Sequence, residues 1–221
     1  MNIAEQVFKY IYDNNIWGGK SLSGPGSELE NTKNLRLFIS EFIEKYDIKS
    51  MIDAPCGDMF WFSKLKLDDV QYYGYDIVDD IIVNNKKKFK DRKNYIFEKK
   101  DVVLEKLPKA DLIMCRDLII HLPIEAVFVL IKNFIRSEAK YLLITQHVVL
   151  NDKYPMNTDI KVGSFAFRNL TLPPFNFPAP KLLVPEEWPD KNCLRFMALY
   201  ELKELDKFYK KNSIKIVFNE K

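Results

Sequence analysis

Two carboxylates flank the turn Asp53-Ala-Pro-Cys-Gly-Asp58, and each of the two histidines in the chain, His121 and His147, follows an apolar run. A turn that cradles a pyrophosphate needs glycines, so that backbone N–H groups can approach the anion, and carboxylates beside it repel that ligand. Asp53 and Asp58 therefore favour a ligand with cationic groups, such as an ammonium and a sulfonium. Asp76 ends the next apolar run, about twenty residues later, where a carboxylate accepts hydrogen bonds from ribose hydroxyls. Asp101 follows a third such run. In Cys115-Arg-Asp-Leu-Ile-Ile-His121-Leu, His121 lies four residues beyond Asp117. That is one helical turn, a spacing that pairs carboxylate with imidazole. Imidazole is the side chain whose ordinary pKa suits a base near neutrality.

The elements that must hold these residues follow from the apolar pattern. Lys49 to Asp53 reads as a short buried strand; Pro55 forbids its extension and Gly57 permits the sharp turn. Apolar Trp61, Phe62, Leu65 and Leu67 predict a short helix over Phe60 to Leu67. Strands follow at Val70 to Tyr75, Tyr95 to Glu98, Ala110 to Cys115 and Lys140 to Thr145, the last with Gln146 and His147 at its exit. Helices are predicted from Ile77 to Phe89 and from Pro123 to Ile135. Strand, loop and helix in alternation make an α/β unit whose ligand lies at the carboxyl ends of the strands, where the direction of the connections switches.

Ahead of this core, Ile3 to Asn14 is an amphipathic helix and Trp17 to Ser27 a glycine- and serine-rich loop. Ser27 is placed to cap a helix from Glu28 to Tyr46, with Glu30 in the capping-box position. Behind the core, Asn151 to Pro180 carries five prolines and four phenylalanines, an irregular loop of the kind that forms lids or substrate walls. Lys181 to Val184 and Leu194 to Tyr200 then read as an antiparallel pair, and the tail after Leu202 as a short helix with a loose end.

At 221 residues with 47% hydrophobic side chains, a single domain is expected. It divides into N-terminal helices and Gly/Ser loop (1–47), cofactor-binding core (48–150), lid (151–180) and terminal strands (181–202). A net charge of +3, from 34 basic against 31 acidic residues, does not argue for a nucleic-acid partner. Cys56, Cys115 and Cys193 have no paired spacing, so no disulfide framework or zinc site is expected, and a reducing cytoplasm fits. No apolar run approaches bilayer length, and no basic stretch followed by an apolar core opens the chain.

Four stretches taken together resemble class I S-adenosylmethionine-dependent methyltransferases, in particular a compact bacterial subgroup. They are Trp17 with Ser21 to Ser27, Asp53 to Asp58, Cys115 to Leu122, and Pro173 to Pro178. The turn keeps the middle glycine of the family's first motif as Gly57, with Pro55 and Met59 where the outer glycines stand. The resemblance implies an α/β, Rossmann-like, seven-stranded sheet with flanking helices, and S-adenosylmethionine as cofactor. It assigns the cofactor to Asp53, Pro55, Gly57, Asp58, Trp61, Asp76, Ile77, Asp101, Val102, Cys115 and Arg116, with Asp101 on the adenine amino group. The acceptor falls to Trp17, Ser23, Ser27, His147, Asn169 and Phe175.

The implied reaction is an in-line displacement on a small-molecule acceptor, a sugar, nucleotide-linked sugar or other capsular-glycan building block; the glycan part rests on the subgroup's context. His121 is the expected base, with Asp117 orienting it and His147 as rival. Arg116 either binds an anionic acceptor or makes a structural ion pair. Trp17 is packing or a stacking wall, and the Gly/Ser loop closes over cofactor or acceptor. No third oxygen ligand joins His121 and Asp117, so no metal is expected. A dinucleotide-binding oxidoreductase and a non-catalytic S-adenosylmethionine-binding protein are the competing readings.

Overall fold

In the computed structural model of the chain, residues 2–150, 154–188, 190 and 192–211 are described. β1 (Ser50–Asp53), β2 (Gln71–Asp76), β3 (Tyr95–Lys99), β4 (Leu112–Cys115) and β5 (Tyr141–Val149) run parallel; β6 (Leu182–Glu186) and β7 (Cys193–Glu201) are antiparallel additions. Together they form one seven-stranded sheet in the order β3-β2-β1-β4-β5-β7-β6. The order reverses between β1 and β4, which opens a crevice at the carboxyl ends of those strands. The expected α/β, seven-stranded sheet with a terminal antiparallel pair is what the chain forms.

Alternation along the strands distributes side chains to the two faces. Ile52, Ile113, Leu142 and Ile144 pack on one side, with Val127, Leu130 and Phe134 of α4 (Ile124–Arg136) and Leu202 and Leu205 of α5 (Leu202–Lys211). Met51, Leu112, Met114 and Leu143 pack on the other, against Leu35, Ile39 and Phe42 of α2 (Lys33–Lys45) and Ile81 and Ile82 of α3 (Asp79–Lys88). Both faces are closed by apolar helix stripes, so the strand sequences read as nearly continuous apolar runs.

Several boundaries differ from the sequence reading. β5 continues to Val149 because its antiparallel partner β7 carries on pairing, Thr145 with Met197 through Val149 with Cys193, after the parallel partner β4 has ended. Gln146 and His147 therefore lie within the strand, not at its exit. The helix expected over Phe60 to Leu67 is a single 3-10 turn, Phe62–Lys64. α2 begins at Lys33, and Ser27 does not cap it: Ser27 is buried in a separate 3-10 turn, Pro25–Ser27, and Thr32 Oγ1 bonds back to the Glu28 carbonyl at 3.0 Å.

The described part of the Pro/Phe-rich stretch, 154–180, is irregular as expected, with an isolated bridge between Met156 and Phe167, yet it is no loose flap. Arg168, wholly buried, donates to the carbonyls of Ile119 (3.1 Å), Leu122 (2.7 Å) and Thr158 (2.7 Å), and Leu170, Phe175 and Phe177 belong to the core. The N-terminal helix α1 (Ile3–Asp13) is capped by the Asn2 side chain, which accepts from Glu5 N–H. The expected loose end lies beyond residue 211, outside the described residues. No helix among those described is long and apolar enough to cross a membrane.

Candidate active site

At the switch point the turn after β1 is stitched to both neighbouring strands: Ala54 N–H donates to the Met114 carbonyl (2.9 Å) and Cys56 N–H to that of Tyr75 (2.8 Å). Gly57 takes φ +54° and Met59, in the place of an outer glycine, φ +58°. Met59 tolerates this left-handed conformation because its side chain is buried beside Tyr72. At Gly57 a Cβ would run into Ser23 Oγ, which is held in place by the Asp58 N–H, so glycine relieves both the backbone and the contact.

A cleft enclosing about 1050 Å³ of free space, part of it open to solvent, opens beside this turn. From the cofactor assignments, Asp53, Pro55, Gly57, Asp58 and Trp61 line it near the turn, Asp76 and Ile77 at the end of β2, Asp101 and Val102 after β3, and Arg116 after β4. From the acceptor assignments, Trp17, Ser23 and Ser27 line it, and so does Asp117. Cys115 does not: it is wholly buried in the core, and its strand neighbour Met114 faces the cleft instead. Phe175 is also core, packed on Phe128 (5.1 Å between ring centroids). Asn169 is buried within its own segment, its Oδ1 accepting from Thr171 N–H and Oγ1. None of these three lines the cleft, and neither does His121 or His147. As a roof, the Gly/Ser loop borders the cleft with Trp17 and Leu22, and α1, whose part was not foreseen, adds Ala4, Phe8 and Tyr12.

The carboxylates around the cleft differ in what they hold. Asp58 accepts from Ser21 Oγ (3.0 Å), Leu22 N–H (2.9 Å), Ser23 Oγ (3.3 Å) and Phe60 N–H (3.1 Å), so it fastens the N-terminal loop across the turn. Asp76 accepts from the backbone N–H groups of Gly57 (3.1 Å) and Val78 (3.0 Å). Burial raises its pKa and these bonds lower it, leaving it at about 6. Asp101 accepts from Asn2 Nδ2 (2.8 Å) and Val103 N–H (3.0 Å). Asp53 has one partner, Tyr72 Oη at 2.8 Å, and its Oδ1 is buried with none. Burial pushes Asp53 up to about 8 despite the Tyr72 bond, with Asp76 adding to the rise.

Asp117 does not orient His121. At φ +57° it redirects the chain into a 3-10 turn, Ile119–His121, which breaks the helical spacing on which that pairing relied. Its Oδ2 lies 3.1 Å from Arg116 Nη1 and 3.1 Å from Arg195 Nη2, while Glu186 accepts from Arg116 Nε and Arg195 Nε, both at 2.8 Å. Two guanidiniums and two carboxylates thus close a buried square. Burial pushes Asp117 up, but the two guanidiniums outweigh it and hold the carboxyl well below its ordinary range. Arg116 also donates to the Gly26 carbonyl (2.6 Å), so of its two expected roles the structural ion pair is the one formed. Sequence reasoning missed Glu186 and Arg195. Their signal was strand register: Glu186 alternates with buried Val184, Arg195 with buried Cys193 and Met197, and the two pair directly across β6 and β7.

The histidines are in opposite tautomeric settings. His121 Nδ1 lies 2.8 Å from the Ser164 carbonyl, which only accepts, so Nδ1 carries the proton and Nε2 keeps a lone pair. Its ring stacks on Trp17, centroids 4.6 Å apart. Burial lowers its pKa, partly opposed by the Ser164 bond and by Asp117. His147 Nδ1 accepts from Arg168 N–H (3.3 Å), which leaves the proton on Nε2. It is almost wholly buried, and burial followed by the Arg195 charge lowers its pKa to about 4. No group of three His, Cys, Asp or Glu side chains arranged to hold a metal occurs among the described residues.

The sequence matches no family model and no curated protein. Solved structures are similar at low identity. The magnesium protoporphyrin IX methyltransferase ChlM from Synechocystis, with bound SAH, superposes with a TM-score of 0.60 at 12% identity over 90% of this chain and 99% of that one. The N-methyltransferase NodS from Bradyrhizobium japonicum gives 0.55 at 12% identity, over 77% of this chain and 96% of that one. TehB from Haemophilus influenzae gives 0.54 at 19% identity, over 74% of this chain and 61% of that one. Sheet order, crevice and these likenesses agree: the chain has the seven-stranded fold of the class I methyltransferases.

Proposed function

We propose that this chain is an S-adenosylmethionine-dependent methyltransferase acting on a hydroxyl of a small molecule. The observation that carries the reading is Asp53, a buried carboxylate on the cleft wall with one oxygen left unpartnered. An orphaned acceptor in a dry wall is costly unless a ligand donor completes it, and a cationic donor suits it best. Among the solved neighbours, ChlM is seen with SAH and with SAM bound.

In this reading Asp53 faces the ammonium end of the cofactor and Asp76 the ribose hydroxyls. Ile77, Asp101 and Val102 border the adenine, with Pro55, Gly57 and Trp61 completing the wall. The cofactor supplies an activated methyl group on a good leaving group. What the chain adds is alignment, by closing the roof over the cleft, and a base. That base is His121, because its Nε2 keeps a lone pair and its lowered pKa leaves it neutral at pH 7. His147 offers only an Nε2–H, so its role is structural.

The acceptor lies near His121, beside Trp17, Ser23 and Ser27. Its identity as a free or nucleotide-linked sugar, or another building block of a capsular glycan, rests on the context of the subgroup that the four motifs resemble; the motifs themselves do not specify the acceptor. Calorimetric titration with S-adenosylhomocysteine, beside the Asp76→Ala variant, tests the reading. Micromolar binding lost in the variant supports it, and a wild type that binds neither S-adenosylhomocysteine nor S-adenosylmethionine overturns it. Labelled cofactor with a panel of free and nucleotide-linked sugars then tests the acceptor class, and transfer to nitrogen-bearing acceptors alone would refute the hydroxyl assignment.

A further inference from the structure

The loop between α1 and the Pro25–Ser27 turn touches the turn after β1, the charge square and, beyond the cleft lining, the His121 ring. Ser21, Leu22 and Ser23 bind the Asp58 carboxylate, and Ser23 Oγ in turn accepts from Asp58 N–H at 3.0 Å. At the loop's far end the Gly26 carbonyl is held by Arg116, and Gly26 sits so close to the charge square that a Cβ there would meet Arg195 Nη1 at 2.8 Å. At its near end Trp17 lies flat on the His121 ring, 4.6 Å between centroids and 19° between planes, with Phe8 of α1 edge-on behind it and Gly24 against its Cβ. The strap is thus pinned to the cofactor turn at one point and to the imidazole at another.

We propose that Trp17 is the positioning residue for His121, and that the strap from Trp17 to Ser27 couples the cofactor turn to the base. The inference rests on the reading of His121 as base. The ring has two constraints: the Ser164 carbonyl fixes its tautomer, and Trp17 fixes its plane and shields one face from water. Phe165 meets its edge at 6.2 Å. Of the charged groups packed nearby, only Asp117 acts on its titration, and that carboxylate is committed to Arg116 and Arg195. Because Asp58 anchors the middle of the strap, movement of the cofactor turn is transmitted to the stacking ring through the two serines. A closed strap completes both halves of the site together.

Two opposite effects make the titration of His121 diagnostic. A stacked indole shields the imidazole from water, which favours the neutral form; its π face favours the cation. Burial is what lowers this ring and the indole supplies part of it, so the proposal expects the pKa to rise when the indole is removed; a fall would mean that the π face dominates and would overturn it.

The test is an NMR titration of the imidazoles, which are two in number, in wild type, Trp17→Ala and Trp17→Phe, with His147→Gln used to assign the resonances. In Trp17→Ala, His121 is expected to move up toward 6.5, the value of an open imidazole. Trp17→Phe, which keeps a stacked ring, should stay near wild type, and unchanged His147 resonances show that the fold is retained. The acidic limb of kcat should shift upward with the imidazole in Trp17→Ala. An unmoved His121 in that variant, or equal shifts in Trp17→Ala and Trp17→Phe, overturns the proposal. Failure of the base reading shows differently: His121→Gln would retain methyl transfer whatever the titration of Trp17→Ala.

Discussion

Asp53 destabilises the free protein, and replacing it with asparagine should show by how much. In the unfolded chain an aspartate titrates at about 3.9, whereas in the folded chain Asp53 is raised to about 8. Folding at pH 7 therefore requires the carboxylate to take up a proton across roughly three pH units, at about 1.36 kcal/mol each, or about 4 kcal/mol. Asparagine has no such requirement. Its carbonyl can still accept from Tyr72, but its amide then takes the place of the orphaned Oδ1 and lacks a partner in turn, a cost of about 1–3 kcal/mol. The net expectation for Asp53→Asn is a gain of about 2 kcal/mol, which for a chain of this length is a rise in Tm of about 4–8 °C.

The pH dependence carries the sharper check. For a carboxylate whose folded pKa is raised, stability is lost as pH climbs from the unfolded value to the folded one. Between pH 7 and 8 the wild type should lose about 1 kcal/mol more than the variant. The thiols of Cys56 and Cys115 are raised chiefly by burial, which the substitution leaves in place, with the Asp53 charge a lesser cause, so they stay protonated over this range in both proteins and largely cancel in the difference. Urea unfolding at the two pH values measures it. The variant should also lose about tenfold or more in affinity for S-adenosylmethionine, the worth of a hydrogen bond to a charged group. A variant less stable than wild type at pH 7, or two proteins with parallel pH curves, would refute the assignment of Asp53 as a carboxylate held in reserve for a cationic ligand.

Three further outcomes are expected. Gly57→Ala places a methyl group against Ser23 Oγ at a left-handed position; it should cost about 1–3 kcal/mol and lower cofactor affinity, read by thermal unfolding and calorimetry, and a neutral variant would show that the strap does not press on the turn. Glu186→Gln leaves two buried guanidiniums to one carboxylate, with an expected loss of about 3–5 kcal/mol in urea unfolding; a loss under about 1 kcal/mol would mean that the square is no better than a surface ion pair. His121→Gln should reduce methyl transfer about 10²–10⁴-fold while still binding S-adenosylhomocysteine. Because His121 is lowered from 6.5 by burial, the wild-type rate should fall only as pH drops below that value, and a limb above it would point to another base.

Much of the fold was written in local pattern. Apolar runs punctuated by Pro55, Gly57 and Pro123 placed the parallel strands, and the spacing from Asp53 to Asp76 placed two carboxylates at one crevice. Non-local partners decided the rest. The length of β5 depends on β7, some fifty positions later in the chain, so His147 could not be seen as a mid-strand residue from its own neighbourhood. The segment after residue 153 looked like a lid because proline and phenylalanine exclude regular structure, yet composition does not say where the rings go. Arg168 ties that backbone to the Ile119–Leu122 turn, and Phe175 enters the core. Part of the roof came from α1, whose inward positions read equally well as ordinary packing. A four-residue spacing signals a side-chain pair only on a helix, and Asp117, at positive φ, ended that condition before His121 was reached.

Five aspartates at one sheet edge are chemically alike in sequence, and what separates them is how many donors the fold gives to each. Asp58 takes two hydroxyls and one backbone N–H from the strap and a second N–H from Phe60; Asp117 sits between two guanidiniums; Asp76 takes two backbone N–H groups; Asp101 takes the Asn2 amide and the Val103 N–H. A saturated carboxylate has little to offer a ligand, because any new bond must displace an existing one. Asp53 has a single phenol and an empty oxygen buried in the wall. The remaining capacity for a cationic donor is therefore concentrated on one residue, at the carboxyl end of the strand where the sheet order turns over. The same count separates the histidines, since one ring nitrogen of each is already committed and only His121 is left with a lone pair. Sequence can nominate residue types, but unfilled hydrogen-bonding capacity, a property of the packed chain, selects among them.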